Sequence, residues 1–125
     1  DQRRHKLSRH MIYREFVRMF EEVDLLICPA TSVPPFPVEQ LYPTHINGER
    51  LRTYFHWCAL TYGLTLTGHP VAVVPCGLDH TGTPFGLQVC GRMGDDRFVL
   101  GAAMALEALF DSQTELTRPR PPLPA

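Results

Sequence analysis

Apolar residues recur at helical spacing near the start of the chain. Ile12, Phe16, Met19, Phe20 and Val23 share a stripe that His10, Tyr13 and Val17 widen, which predicts a helix ending near Glu22. Its charges oppose the helix dipole: Arg3, Arg4 and Lys6 crowd the start, and Glu21, Glu22 and Asp24 close it. The unbroken run Leu25-Leu26-Ile27-Cys28, stopped by Pro29, predicts a strand covered on both faces, as in a parallel sheet. An irregular stretch from Pro29 to Ile46 follows, with prolines at 29, 34, 35, 37 and 43. Loops that long in a compact domain tend to be functional or to wrap another part of the protein.

Asn47-Gly48 is a turn signal. Leu51, Phe55, Cys58 and Tyr62 then recur at helical spacing, while Trp57, Leu60 and Leu64 make the other side apolar too. Such a helix is expected to be buried on several faces. Val71–Val74 and Phe85–Cys90 are two further apolar runs. The Gly77–Pro84 turn region between them is too short for a crossover helix, so they are expected to pair as an antiparallel hairpin. Asp95 is placed as the N-cap of a last helix, with Asp96 in its first turn and Phe98/Val99, Ala102, Leu106 and Leu109/Phe110 in its buried stripe.

The sum is an α/β chain of about three helices and three strands, divided into residues 1–115 and a Pro-rich tail over 116–125 expected to be extended or disordered. Three strands buried on both faces are too few for a whole sheet, which predicts a piece of a larger domain. Asp1 in place of an initiator Met agrees with that expectation.

Composition narrows the function classes. A formal net charge of −1 gives no electrostatic footprint for nucleic acid or an anionic membrane. The apolar runs are strand-sized, too short to span a bilayer, and no apolar segment follows the basic start as in a signal peptide. Cys28, Cys58, Cys76 and Cys90 form no C-x-x-C pair and have apolar neighbours, which predicts reduced thiols and a cytoplasmic protein.

Candidate chemistry is sparse. The serines are Ser8, Ser32 and Ser112, and Lys6 is the only lysine. Ser8 and Lys6 are two apart and do not face each other on a helix. His69, Cys76 and His80 are the nearest approach to a cluster, without zinc-ligand spacing, and a Cys76–His69 pair would carry a thiol made inert by burial. There is neither G-x-G-x-x-G nor a P-loop lysine. Arg92 reads as a strand-end surface charge, and Trp57 and Tyr62 as core packing. No catalytic residue, metal ligand or cofactor site is assigned. Thr31 and Ser32 are the candidate substrate-binding residues, because they lie just past the carboxyl end of a buried strand, where ligands bind in open α/β sheets.

The order of three segments, Phe20–Thr31, Thr67–Gly77 and Gly82–Gly91, followed by an Ala-rich helix with Glu107, resembles the C-terminal part of the amidase signature family. The resemblance covers Tyr13 to Phe110. It implies part of a mixed-sheet α/β/α fold and hydrolysis of carboxamides to acid plus ammonia or amine, without a cofactor. It further implies a lysine, a cis-configured serine and a nucleophilic serine, all upstream of the matched region. Because this chain has no Gly-Gly-Ser-Ser stretch, no catalytic role carries over to any of its residues. On this reading the chain supplies sheet, core and a pocket wall, is inactive alone, and has as partners a small amide and the N-terminal remainder of its own protein. Self-association through an exposed sheet edge is also expected. The substrate, and the choice between a stand-alone amidase and an amidotransferase subunit, stay open. The alternative is an autonomous small α/β binding or assembly domain.

Overall fold

The computed structural model describes residues 2–120, with side chains over 9–120. Helix α1, Gln2–Glu22, leads into strand β1, Leu26–Pro29. Two short strands follow, β2 (His45–Ile46) and β3 (Glu49–Arg50), and then a 3₁₀ turn over Tyr54–Cys58. Helix α2 (Ala59–Thr67), strands β4 (Val71–Leu78) and β5 (Pro84–Cys90) and helix α3 (Asp96–Asp111) complete the order.

The main sheet has the order β1–β5–β4 with both pairings antiparallel. Val71 lies across from Cys90 and Val74 across from Leu87, as the predicted hairpin requires. Beyond Pro75 the register shifts and the pairing extends to Leu78 and Pro84. Strand β1 departs from expectation, because it runs antiparallel to β5. An apolar run without alternation reports burial on two faces and carries no information on strand direction.

Burial on both faces holds only for the central strand, where Gln88, Val89 and Cys90 are all buried. On one face Phe20 of α1 and Leu64 of α2 close over Cys90, with Phe16, Met19, Leu26, Cys28 and Val71 around them. On the other, Phe110, Ala102, Ala103 and Leu106 of α3 pack over Val74 and Val89. This gives an α/β/α arrangement in which the helices cover the middle of the sheet and leave its margins open. Ile27 on β1 is 47% exposed and Val73 on β4 is 61% exposed.

The wide apolar stripe of α1 divides accordingly. Tyr13, Phe16, Met19 and Phe20 turn inward, while Ile12, Val17 and Val23 remain exposed. The acidic end of α1 finds its cation from a distance. Arg92 donates through Nε to the Phe20 carbonyl at 2.8 Å and through Nη2 to Asp24 at 3.3 Å, satisfying a carbonyl of the last turn.

The helix expected from Leu51 onward begins as the 3₁₀ turn and becomes α-helical only at Ala59. It is not buried all round: Leu64 and Thr67 are buried, while Leu60, Tyr62 and Leu66 are exposed. Gly68 ends it at φ 74, a left-handed value suited to glycine. Asp95 occupies the N-cap position of α3 as expected, but its side chain makes no capping hydrogen bond. Past α3 the chain turns back, and Leu116 packs against the α3 side of the core. Pro121, Pro122 and Pro124 of the tail lie outside the described residues. Among the described residues, no helix is long and apolar enough to cross a membrane.

Candidate functional site

Where β1 ends, three elements converge. Gln88 Nε2 of β5 donates to the Pro29 carbonyl at 3.0 Å, the Ala30 N–H donates to Gly86 O at 2.9 Å, and Thr61 Oγ1 of α2 donates to Ala30 O at 2.8 Å. These bonds fix the exit of the chain from the sheet. The Pro-rich segment that leaves there forms one side of an open cleft of about 600 Å³, and the β4–β5 turn forms the other. Thr31, Ser32 and Phe36 line the first side, Asp79 and His80 the second, and Trp57 closes it from the 3₁₀ turn.

Thr31 and Ser32 thus stand together in one wall. The Thr31 hydroxyl donates to Val33 O at 3.0 Å, which pins the turn. Trp57, expected in the core, meets Phe36 edge-on at 5.4 Å, and its indole Nε1 is buried with no partner among the described residues. From Trp57 a file of rings continues to Tyr54 at 5.9 Å and on to Tyr42 at 5.8 Å. Asp79 is not singled out in the sequence, and His80 only as a member of the loose His69–Cys76–His80 group. Asp79 Oδ1 accepts from Thr81 N–H at 2.8 Å and Oγ1 at 2.6 Å, and from Thr83 N–H at 3.1 Å and Oγ1 at 2.9 Å. Those donors, the Thr81 hydroxyl first, hold its carboxyl well below the usual carboxylate range. A carboxylate so occupied shapes the turn and is a poor base. The D-x-T-x-T spacing over 79–83 was the available signal.

The other candidates do not assemble. His69 packs against α1, with ring centroids 5.5 Å from Tyr13, 5.7 Å from Phe16 and 5.2 Å from Phe20. Cys76 packs beneath α3 on the opposite face, and His80 lies in the β4–β5 turn. All four cysteines are free. Burial raises the Cys28 thiol pKa, and burial together with the neighbouring Cys28 pushes Cys90 up to about 11, so both stay protonated and unreactive at neutral pH. Among the described residues no three His, Cys, Asp or Glu side chains converge to hold a metal ion. The hydroxyl–imidazole contact of Thr44 Oγ1 with His45 Nδ1 at 3.0 Å is exposed and joins chain neighbours, without a third group to orient the ring. The side chains of Lys6 and Ser8 lie outside the described residues.

His69 has a consequence for stability. Its ring is buried with Nδ1 unpartnered among the described residues, and desolvation lowers its pKa from the ordinary 6.5. The fold accepts the neutral ring, so on acidification the unfolded chain takes up the proton first. Stability is therefore full above the unfolded value and declines as pH falls from about 6.5 through the lowered folded value. Urea unfolding across this range is expected to show that decline, and His69→Phe to flatten it. An unchanged slope in the variant would assign the decline to other groups.

Three kinds of comparison agree on the ancestry of this arrangement. Residues 2–100 match the Amidase family model. A glutamyl-tRNA(Gln) amidotransferase subunit from Chloroflexus aurantiacus is 36% identical over 118 residues, covering 94% of this chain and 22% of that protein. Among solved structures, a bacterial aryl acylamidase of the amidase signature enzymes superposes with a TM-score of 0.74 at 32% identity, over 82% of this chain and 21% of that one. The crystal structure of an amidase gives a TM-score of 0.75 at 29% identity, over 86% and 24%. The chain thus spans about a fifth of the length of the curated relatives it matches. The segments that carried the resemblance, Phe20–Thr31, Thr67–Gly77 and Gly82–Gly91, hold strand β1 and most of the β4–β5 hairpin; the chain belongs to the amidase signature family.

Proposed function

We propose that this chain is the C-terminal scaffold of an enzyme that hydrolyses carboxamides to an acid plus ammonia or amine. On this reading a lysine, a cis-configured serine and a nucleophilic serine, borne by residues outside this chain, carry out the reaction without a cofactor. Thr31 and Ser32 form part of the wall that receives the amide, and the chain alone turns nothing over. The observation that supports the reading is the open cleft at the end of β1, lined by apolar side chains with Thr31 and Ser32, with no paired nucleophile and base among the described residues. Its partner is the remainder of an amidase domain. The free edges of β1 and β4, and the exposed Val73 and Ile27 beside them, are the surfaces that remainder would cover. The same surfaces favour self-association of the isolated chain. The absence of any disulfide among the four cysteines agrees with a cytoplasmic setting.

An amide hydrolysis assay tests this. The isolated chain is expected to give no turnover of simple amides above the buffer blank. The whole enzyme carrying Trp57→Ala is expected to lose about tenfold in kcat/KM, mostly through KM, because a wall residue contributes binding rather than chemistry. Amide turnover by the isolated chain that disappears in Ser32→Ala would overturn the proposal.

A further inference from the structure

We infer that the β2–β3 hairpin carries a binding site for a tetrahedral oxyanion of the phosphate class, held by Arg50 and Arg52. Both arginines line one cleft of about 470 Å³, together with Tyr42, Thr44 and Leu51. His45 lies directly across from Arg50 in the hairpin register, just outside the lining of the cleft. The ion pairs among the described residues are Arg18–Glu15 and Arg92–Asp24, so neither Arg50 nor Arg52 has a carboxylate partner there. Glu49, the carboxylate adjacent in sequence, pairs in register with Ile46; it shares a second cleft with Arg50 and Arg52 but forms no ion pair with either and is absent from the lining of the cleft with Tyr42 and Thr44.

Two like charges in one cleft repel, and an anion between them turns that repulsion into attraction. The kind of anion follows from counting partners. Each guanidinium presents a planar fork of N–H donors. A carboxylate's pair of oxygens is satisfied by one fork, whereas a phosphate offers oxygens to two forks from different directions. The surrounding frame is fixed. Asn47 and Gly48, at φ 50 and 81, make the tight turn, and the Leu51 N–H donates to Thr44 O at 2.8 Å. The Arg52 N–H donates to His56 Nδ1 at 3.4 Å, and the Tyr42 ring rests edge-on against Tyr54. The site is thus separate from the Thr31–Trp57 cleft, shares none of its lining residues, and does not depend on the amidase reading.

Titration of inorganic phosphate into the full chain at constant ionic strength tests the site. Arginine Nε–Hε signals and the Thr44 and Leu51 amides would be followed by NMR. Saturable shifts of Arg50, Arg52 and these amides are expected, with competition by sulfate and much weaker binding of acetate. Arg50→Gln/Arg52→Gln is expected to weaken binding at least about tenfold, and Arg50→Lys/Arg52→Lys several-fold, since lysine keeps the charge and loses the fork. The Lys pair also covers the case in which the Gln pair disturbs the hairpin. Arg97→Gln on α3 is expected to leave binding unchanged. Phenyl phosphate binding at least as tightly as inorganic phosphate would assign the site to phosphate monoesters, and the reverse order to the free ion. Shifts that fail to saturate, that acetate reproduces at equal concentration, or that persist in both double variants would overturn the inference.

Discussion

Gly77→Ala is expected to destabilise the chain by about 3 kcal/mol, combining left-handed backbone strain with overpacking. Gly77 has φ 61, and a Cβ built on it would collide with the carbonyl oxygen of Glu115 and crowd the Leu116 Cα. Both obstacles are backbone atoms, so no rotamer change relieves them. The segment that follows α3 would have to lift away, taking Leu116 off the cluster of Val74, Val89 and Phe110. Gly82→Ala separates the two contributions. Its φ is 79, but nothing lies within 4 Å of the added methyl group. It should lose only the strain, about 1–2 kcal/mol. Urea unfolding of the two variants decides the matter. Equal losses would mean that the 113–117 turn does not rest on Gly77. Leu116→Ala added to Gly77→Ala should cost less than it does alone, because the contact it removes is already broken.

The strand that pairs twice explains most of what was legible in the sequence. Val89 and Cys90 are fully buried because helices cover β5 from both sides, and its uncharged run from Phe85 to Cys90, whose only polar side chain is the buried Gln88, reports such burial. Strand β1 gave the same signal but lies at the edge, with its Ile27 half exposed, and its antiparallel direction left no mark in its four residues. Direction is set by which strand it meets, a partner some sixty positions away (Leu26 against Cys90). The 51–58 stretch misled for a related reason. Apolar residues at helical spacing predict a buried helix only where something covers them. Here Trp57 meets Phe36 edge-on and the neighbouring Tyr54 meets Tyr42 edge-on, both partners lying in the Pro-rich loop, so the aromatic residues of this stretch pack with a loop rather than as a helix against the sheet.

The site was less legible than the fold. Thr31 and Ser32 are singled out because ligands gather past strand ends in open α/β sheets; both line a cleft, although β1 proves to be an antiparallel edge strand. Trp57, Asp79 and His80 reach the same cleft from two other parts of the chain, and no spacing rule links positions 31, 57 and 79. Arg92 shows the opposite case. Its bond to the Phe20 carbonyl answers the reversed charge pattern of α1, a puzzle visible in sequence whose solution was 72 residues away.

Phe20→Ala should carry the largest loss, about 3–5 kcal/mol, because the side chain is 3% exposed and the surrounding layer cannot collapse into the gap. Its ring is 5.2 Å from His69 and 6.3 Å from Phe16, and its atoms fill the space between α1, Leu64 of α2 and Cys90 of the sheet. If the variant leaves too little folded chain to measure, Phe20→Leu should cost under about 1.5 kcal/mol with repacking and preserve the trend. Phe98→Ala on α3 is the matched control, since that ring is 51% exposed and its removal should cost well under about 1 kcal/mol. The core variant makes a second, independent prediction. Removing Phe20 admits water to the His69 ring, which relieves the desolvation that lowers its pKa. The imidazole should then titrate closer to its ordinary value, and the loss of stability on acidification should shrink. An NMR titration of the His69 ring in Phe20→Ala or Phe20→Leu reads this without reference to unfolding. A ring that titrates as before, in a variant no less stable than Phe98→Ala, would show that Phe20 neither fills this layer nor keeps water from the histidine.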